Sequence, residues 1–245
     1  MEDDSVLTRA AAAPDLTVAY ASAAEQIADV RYGGDGAEHR PLVVLFHGGF
    51  WRPAYDRSHA GPMSVALAHA GWTVATIEYR RVAGKPDLTL QDVVGAVAAL
   101  PALVERHNGN VVLIGHSAGG HLVLWASASA AGQHISGVLA LAPAADLELS
   151  AARGLGGGAV NAFLGVDVRA RPDVDPKLGP TPRAAVTIVH GARDDTVPLE
   201  ISQSYVAAHP HTRLIELPDA GHLAVIDPLS PAWETVIAEL TRLSR

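Results

Sequence analysis

The stretch that most restricts how this chain can fold is Val111-Val-Leu-Ile-Gly-His-Ser-Ala-Gly-Gly120. An apolar run of strand type breaks there into a G-x-S-x-G, Gly115-His116-Ser117-Ala118-Gly119. A strand can pass into a helix through so tight a turn only if the middle residue accepts a strained backbone. Its neighbours must also be small, or strand and helix collide. Gly115, Ala118, Gly119 and Gly120 meet that demand. Such a turn lifts the Ser117 hydroxyl above the end of the strand. It also sets the Ala118 amide at a helix N-terminus, where a developing oxyanion would be held. Alone, the pattern also fits an ordinary glycine-rich turn, so its meaning depends on what surrounds it.

What surrounds it is an alternation of strands and helices. Leu16–Tyr20 and Ile27–Tyr32 alternate weakly, as antiparallel edge strands would. Leu42-Val-Val-Leu-Phe46 is a continuous apolar run, expected of a parallel strand buried on both faces. A helix over Met63–Ala70, a strand over Thr73–Ile77 and a helix carrying Leu90, Val93, Val94 and Val97 follow. Thr89 with Asp92 resembles a capping box for that last helix, and Pro101 should end or kink it. After strand 111–115 come helix 118–130, strand 137–142, strand 185–190, a helix opening near Pro198, and strand 213–217. Ser230 as N-cap and Pro231 open a final helix with Trp233, Ile237 and Leu240 on one face. The pattern predicts an α/β fold with a mostly parallel, doubly wound sheet, antiparallel N-terminal strands, and chemistry at the strands' C-terminal ends. Residues 1–14 read as a loosely held N-terminal arm and 15–245 as one domain. Residues 145–182, with Gly154–Gly158 and Pro172, Pro176, Pro180 and Pro182, read as a small cap-like insertion over the sheet's C-terminal edge.

A length of 245 residues suits one domain of this class. No apolar run approaches the ~20 residues of a membrane span. The acidic start, Met1-Glu-Asp-Asp4, lacks a secretory signal's basic region, so a cytoplasmic location is expected, and the absence of cysteine agrees. Having no cysteine also excludes disulfides and a thiol nucleophile. A net charge of −8 without a basic cluster argues against nucleic acid or anionic membrane as partner. There is no metal-ligand spacing, phosphate-binding loop or dinucleotide fingerprint, so no cofactor and no metal are expected.

Three further loops carry candidate chemistry. His47-Gly48-Gly49-Phe50-Trp51 follows strand 42–46, and its glycines can turn amides inward as the second part of an oxyanion hole. His190-Gly-Ala-Arg-Asp194-Asp195-Thr-Val-Pro198 follows strand 185–190, where an acid would orient a histidine. Asp194 is favoured over Asp195, which lies nearer the next helix and suits a cap. Asp219-Ala-Gly-His222 follows strand 213–217, the place of a general base. Among twelve histidines, His222 stands out as the one after the last strand; His39, His59, His69, His107, His134, His209 and His211 read as surface residues. His116 and His121 flank Ser117 and should pack or hydrogen-bond locally, with His116 near enough to touch a substrate. Phe50, Trp51 and Tyr55 supply rings beside the oxyanion glycines, in a chain only 5% aromatic. The order Ser117, Asp194, His222 differs from the chymotrypsin and subtilisin orders.

These motifs make the chain similar to the α/β-hydrolase superfamily over nearly its whole length. Within it, His47-Gly-Gly-Phe-Trp51 resembles the HGGxW signature of kynurenine formamidase-like hydrolases, while the Ser117 and Asp194 motifs are shared more widely. The resemblance implies a triad of Ser117, Asp194 and His222, with the Gly48, Gly49 and Ala118 amides as oxyanion hole. Phe50 departs from the HGGG of hormone-sensitive-lipase-like enzymes. The implied activity is cleavage of a small ester or amide through an acyl-enzyme, with an aryl formamide among the candidates and no partner beyond that substrate, a homodimer being compatible. A general short-chain carboxylesterase, an oligopeptidase-like hydrolase and a non-catalytic binding scaffold are the alternatives.

Overall fold

The computed structural model describes residues 3–129 and 135–245. The strands are β1 (Leu16–Ala19), β2 (Ile27–Arg31), β3 (Leu42–Phe46), β4 (Val74–Ile77), β5 (Val111–His116), β6 (Ile135–Leu141), β7 (Ala185–Gly191) and β8 (Arg213–Leu217). They form one sheet in the order β1-β2-β4-β3-β5-β6-β7-β8. β1–β2 and β2–β4 pair antiparallel and the remaining neighbours pair parallel. The α-helices are α1 (Gly61–His69), α2 (Pro86–Leu103), α3 (Ala118–Ala128), α4 (Leu147–Ala152), α5 (Leu155–Leu164), α6 (Glu200–Ala208) and α7 (Ala232–Leu243). Expected elements thus appear within a residue or two of their predicted bounds. The predicted helix end at Ala130, and His134, lie outside the described residues.

The all-apolar run of β3 follows from its place in the middle of the sheet. Leu42, Val44 and Phe46 face a core with α2 and α3, while Val43 and Leu45 face a second core with α1 and α7. Full burial of each such side chain contributes about 1.5–3 kcal/mol. The sheet is therefore rigid where its strands end, and β3, β5, β7 and β8 all deliver candidate residues at that edge.

Several local expectations need correction. α2 opens at Pro86, a residue preset for the first helical turn, so Thr89 and Asp92 lie inside the helix and not at its cap. The Thr89 hydroxyl donates to the Arg80 carbonyl at 2.6 Å, and buried Asp92 accepts from the Arg80 guanidinium and amide and from Gln26. His209 is buried and not on the surface, tilted against Tyr205 with Nε2 3.1 Å from the Lys177 carbonyl oxygen. The N-terminal arm is docked: Val6 is buried, and Arg9 pairs with Asp227 at 2.5 Å. Residues 145–182 hold α4, α5 and three short 3-10 turns. Among the described residues no helix is long and apolar enough to cross a membrane.

Candidate active site

Ser117 stands between β5 and α3 with φ 55° and ψ −116°, a conformation that costs a non-glycine residue on the order of 1–3 kcal/mol. Packing forces it. A Cβ on Gly115 would stand 2.2 Å from the Gly119 carbonyl oxygen, and one on Gly119 would stand 2.2 Å from the Phe46 carbonyl oxygen. Strand and helix approach that closely only as glycines, and the Ser117 amide is tied to the Leu141 carbonyl at 2.9 Å.

Opposite Ser117, the loop after β3 keeps its shape through its carbonyls. The Tyr79 hydroxyl donates to the His47 carbonyl at 2.8 Å, and His47 Nδ1 lies 2.7 Å from the Gly48 carbonyl oxygen. In a trans peptide the C=O and the following N–H point in opposite directions. Anchoring those two carbonyls on the Tyr79 and His47 side therefore turns the Gly48 and Gly49 amides the other way. Neither amide, nor that of Ala118, has an acceptor among the described residues. Gly49 takes φ 111° with Tyr55 packed so close that a Cβ would sit 2.4 Å from the Tyr55 Cβ and 2.7 Å from its ring. Phe50 and Trp51 continue the loop in the left-handed region.

Behind the loop lies a cluster of His47, Glu78, Tyr79 and Arg81. His47 stacks on Tyr79 with ring centroids 4.5 Å apart, and its Nε2 is 3.2 Å from Glu78 Oε1. Arg81 Nη1 also donates to Glu78 Oε1, and the Arg57 amide donates to Oε2. Burial alone would raise the Glu78 carboxyl; hydrogen bonds from His47, Arg81 and the Tyr79 amide outweigh it and hold it at about 2. Two arginines anchor the segment after β4, Arg81 on Glu78 and Arg80 on Asp92. An acid directly after an apolar strand was the available signal for Glu78.

Asp194 and His222 meet at 2.7 Å, with Nδ1–H donating to Oδ2. The other Asp194 oxygen accepts the amides of Thr196 at 2.9 Å and Val197 at 2.7 Å. His190, wholly buried, brings Nε2 to 3.2 Å from Asp194 Oδ2 and 2.8 Å from the Val197 carbonyl, while Nδ1 meets the Ser202 hydroxyl at 2.7 Å. Burial pushes the Asp194 carboxyl up, but hydrogen bonds from His190 and His222 prevail and keep it well below the usual carboxylate range. Asp195 is exposed, and it makes no hydrogen bond as a cap among the described residues. Asp194 both meets His222 and holds the loop. His116 Nε2–H donates to the His222 carbonyl at 3.0 Å, tying the elbow to the histidine loop. Burial, then the neighbouring His222, push the His116 ring down to about 3, so it stays neutral.

Ser117, His222, His116, Gly48, Gly49, Phe50 and Tyr55 line one cavity of about 180 Å³, continued by the arm's Leu7, α1's Met63 and Ile226. A second crevice of about 10 Å³ lies on the other side of Ser117, between Ala118, Phe50, Trp51, Leu155, Val160 and Val197. Trp51 belongs only to that crevice. Its ring is buried, stacked on Phe163 at 4.8 Å and edge-on to His121 at 5.2 Å, so it is chiefly a packing residue and not the aromatic wall of the main cavity. Among the described residues no cluster of histidines and acids could hold a metal ion.

Comparisons with known proteins agree with the fold. The BD-FAE family model matches residues 29–150. A kynurenine formamidase of Danio rerio is 30% identical over 109 residues, 44% of this chain and 36% of its own. The chain spans less than half the length of the curated relatives it matches. A solved structure from Silicibacter sp. is similar at TM-score 0.76 and 27% identity, over 92% of this chain and 84% of that one. Esterase B of Lactobacillus rhamnosis superposes at TM-score 0.78 and 20% identity, over 98% of this chain and 89% of its own.

Proposed function

Since this chain is an α/β-hydrolase by fold, we propose that it is a serine hydrolase cleaving a small ester or amide through an acyl-enzyme. The observation that carries the reading is the Asp194–His222 hydrogen bond at 2.7 Å, with His222 and Ser117 lining one cavity below amides that have no acceptor. Ser117 attacks the carbonyl carbon and His222 Nε2 takes the hydroxyl proton. Asp194 holds the tautomer that leaves Nε2 free, and the amides of Gly48, Gly49 and Ala118 stabilise the oxyanion. The tetrahedral intermediate collapses when His222 returns the proton to the leaving oxygen or nitrogen. Water then attacks the acyl-enzyme by the same route.

Because His222 protonates the leaving group, the leaving group occupies the cavity that His222 lines, and the acyl group takes the crevice on the other side. The larger space is mostly apolar; an apolar cavity of about 150 Å³ takes a benzene ring. The crevice holds about one water-sized group. Those sizes favour an aryl leaving group with a formyl or acetyl acyl group, which supports aryl formamides and short-chain aryl esters together. The partial similarity to kynurenine formamidases supports the formamide half.

A fluorophosphonate probe should label wild type and not Ser117→Ala. Ser117→Ala should also lose at least about 10³-fold in kcat on phenyl acetate and N-formylaniline while keeping its fold. Full turnover by Ser117→Ala would sink the nucleophile assignment. Hydrolysis of the ester and not the formamide would leave a short-chain carboxylesterase.

A further inference from the structure

We infer that the N-terminal arm is the outer wall of the leaving-group cavity and that Leu7 sets the largest leaving group the site accepts. The inference rests on the serine-hydrolase reading for the word leaving group, but its geometry stands apart from it. Val6 is 1% exposed and belongs to the same apolar core as Met63, Leu67 and Ile226, which fixes the arm in depth. Its neighbour Leu7 is thereby turned onto the cavity, with His59, Met63 and Ile226 as the other members of that wall.

Three contacts then hold the arm along its length. Arg9 grips both oxygens of Asp227, at 2.5 and 3.0 Å. The Ala12 carbonyl accepts from Arg31 Nη2 at 2.7 Å. Ala11 packs against Gly61 so closely that a Cβ there would lie 2.8 Å from its methyl. A segment held only by its ends would not need so many partners.

The Arg9 contact has a second effect. Asp227 closes the turn that follows His222 and accepts the Leu229 amide at 2.9 Å. That same turn brings Leu223 and Ile226 to the cavity. One bidentate ion pair therefore fastens the wall made by the arm to the wall made by the histidine loop. Bidentate Arg–carboxylate pairs fix geometry as well as charge. Loosening the pair frees both walls at once, whereas changing Leu7 alters only the volume.

Acetate esters of phenol, 2-naphthol and 4-hydroxybiphenyl test this, read as the ratio of kcat/KM for each larger ester to phenyl acetate. Leu7→Ala should raise the ratio at least about 5-fold and Leu7→Trp should lower it by at least as much, in the range a pocket wall controls. Arg9→Ala, a change at a partly exposed side chain, should move it in the direction of Leu7→Ala. The affinity for free 2-naphthol, followed by fluorescence, should rise where the ratio rises and fall where it falls, without any turnover. Ratios and affinities within twofold of wild type in all three folded variants would overturn the proposal, as would a change in acyl-length preference in place of leaving-group preference. If wild type hydrolyses none of the esters and Ser117 takes no fluorophosphonate, the hydrolase reading fails. The 2-naphthol titration then still decides whether Leu7 walls the cavity.

Discussion

Asp194 accepts from His222 on one oxygen and from two backbone amides on the other, while His190 approaches from behind. Each donor removes a rotational freedom of the carboxylate, so the imidazole it orients has a single direction to face. Asp194→Asn presents an NH₂ where an acceptor is needed, and kcat should fall roughly 10⁴-fold as the wrong tautomer of His222 forms. Asp195→Asn is the control that sequence reasoning would have judged otherwise. That side chain is exposed and caps nothing, so the variant's stability should shift by no more than about 0.5 kcal/mol and its kinetics should not move. Paired kinetic and thermal measurements on the two variants decide the assignment; a large kinetic loss in Asp195→Asn would reverse it. At the elbow the same logic is steric. Gly119→Ala would drive a methyl into the carbonyl oxygens at Phe46 and His47, at 2.2 and 2.6 Å, so it should destabilise the fold and displace the oxyanion loop together.

Between elements, the loop after β3 depends on the end of β4. Glu78 accepts from His47, Arg81 and the Arg57 amide, and the aromatic ring after it carries the His47 carbonyl. Since its carboxyl is held at about 2 in the fold, below the ordinary carboxylate range, Glu78 contributes stability that is present above about pH 4.5 and lost as pH falls towards 2. The contribution is on the order of 3 kcal/mol at neutral pH. Glu78→Gln should therefore lower the melting temperature at pH 7, shrink the loss between pH 4.5 and 2, and reduce kcat more than it raises KM, because the oxyanion amides lose their anchor. An unaltered acid transition would show that Glu78 carries no such linkage. None of this was legible from the chain. Elements with strong periodicity (β3, β5 and α7) could be read within a residue or two, as could the placing of Ser117, Asp194, His222 and the two loop glycines at strand ends, because each lies in a glycine-containing loop that follows a strand. The His47–Glu78 contact and the docked arm depend on side chains that meet across the fold at sequence separations no local pattern encodes. The side of the site that Trp51 serves was not legible either: its ring stacks on Phe163 from α5 and lines the smaller crevice in place of the larger cavity.

Across the whole molecule, Ser117 divides two unequal spaces built from different parts of the chain. The arm, α1 and the histidine loop enclose the larger one, and α4–α5 close the smaller one against Phe50, Trp51 and Val197. Acyl selectivity should accordingly be set by residues remote in sequence from those that set leaving-group selectivity. With 4-nitrophenol as a constant leaving group, kcat/KM should be highest for formate or acetate and fall steadily through butyrate to hexanoate. Each added methylene must displace close-packed side chains, and overpacking of that kind costs about 1–3 kcal/mol. Val160→Ala and Leu155→Ala remove bulk from the closing helix without touching Ser117, His222 or the larger cavity. Either should move the optimum by about one to two carbons and change the naphthyl-to-phenyl ratio of wild type little, since the two spaces share only Phe50 and Ser117 among their lining residues. A wild-type optimum at hexanoate or beyond would mean that the acyl group lies in the 180 Å³ cavity and the leaving group elsewhere. In that case the division of the site by His222 would be the wrong way round.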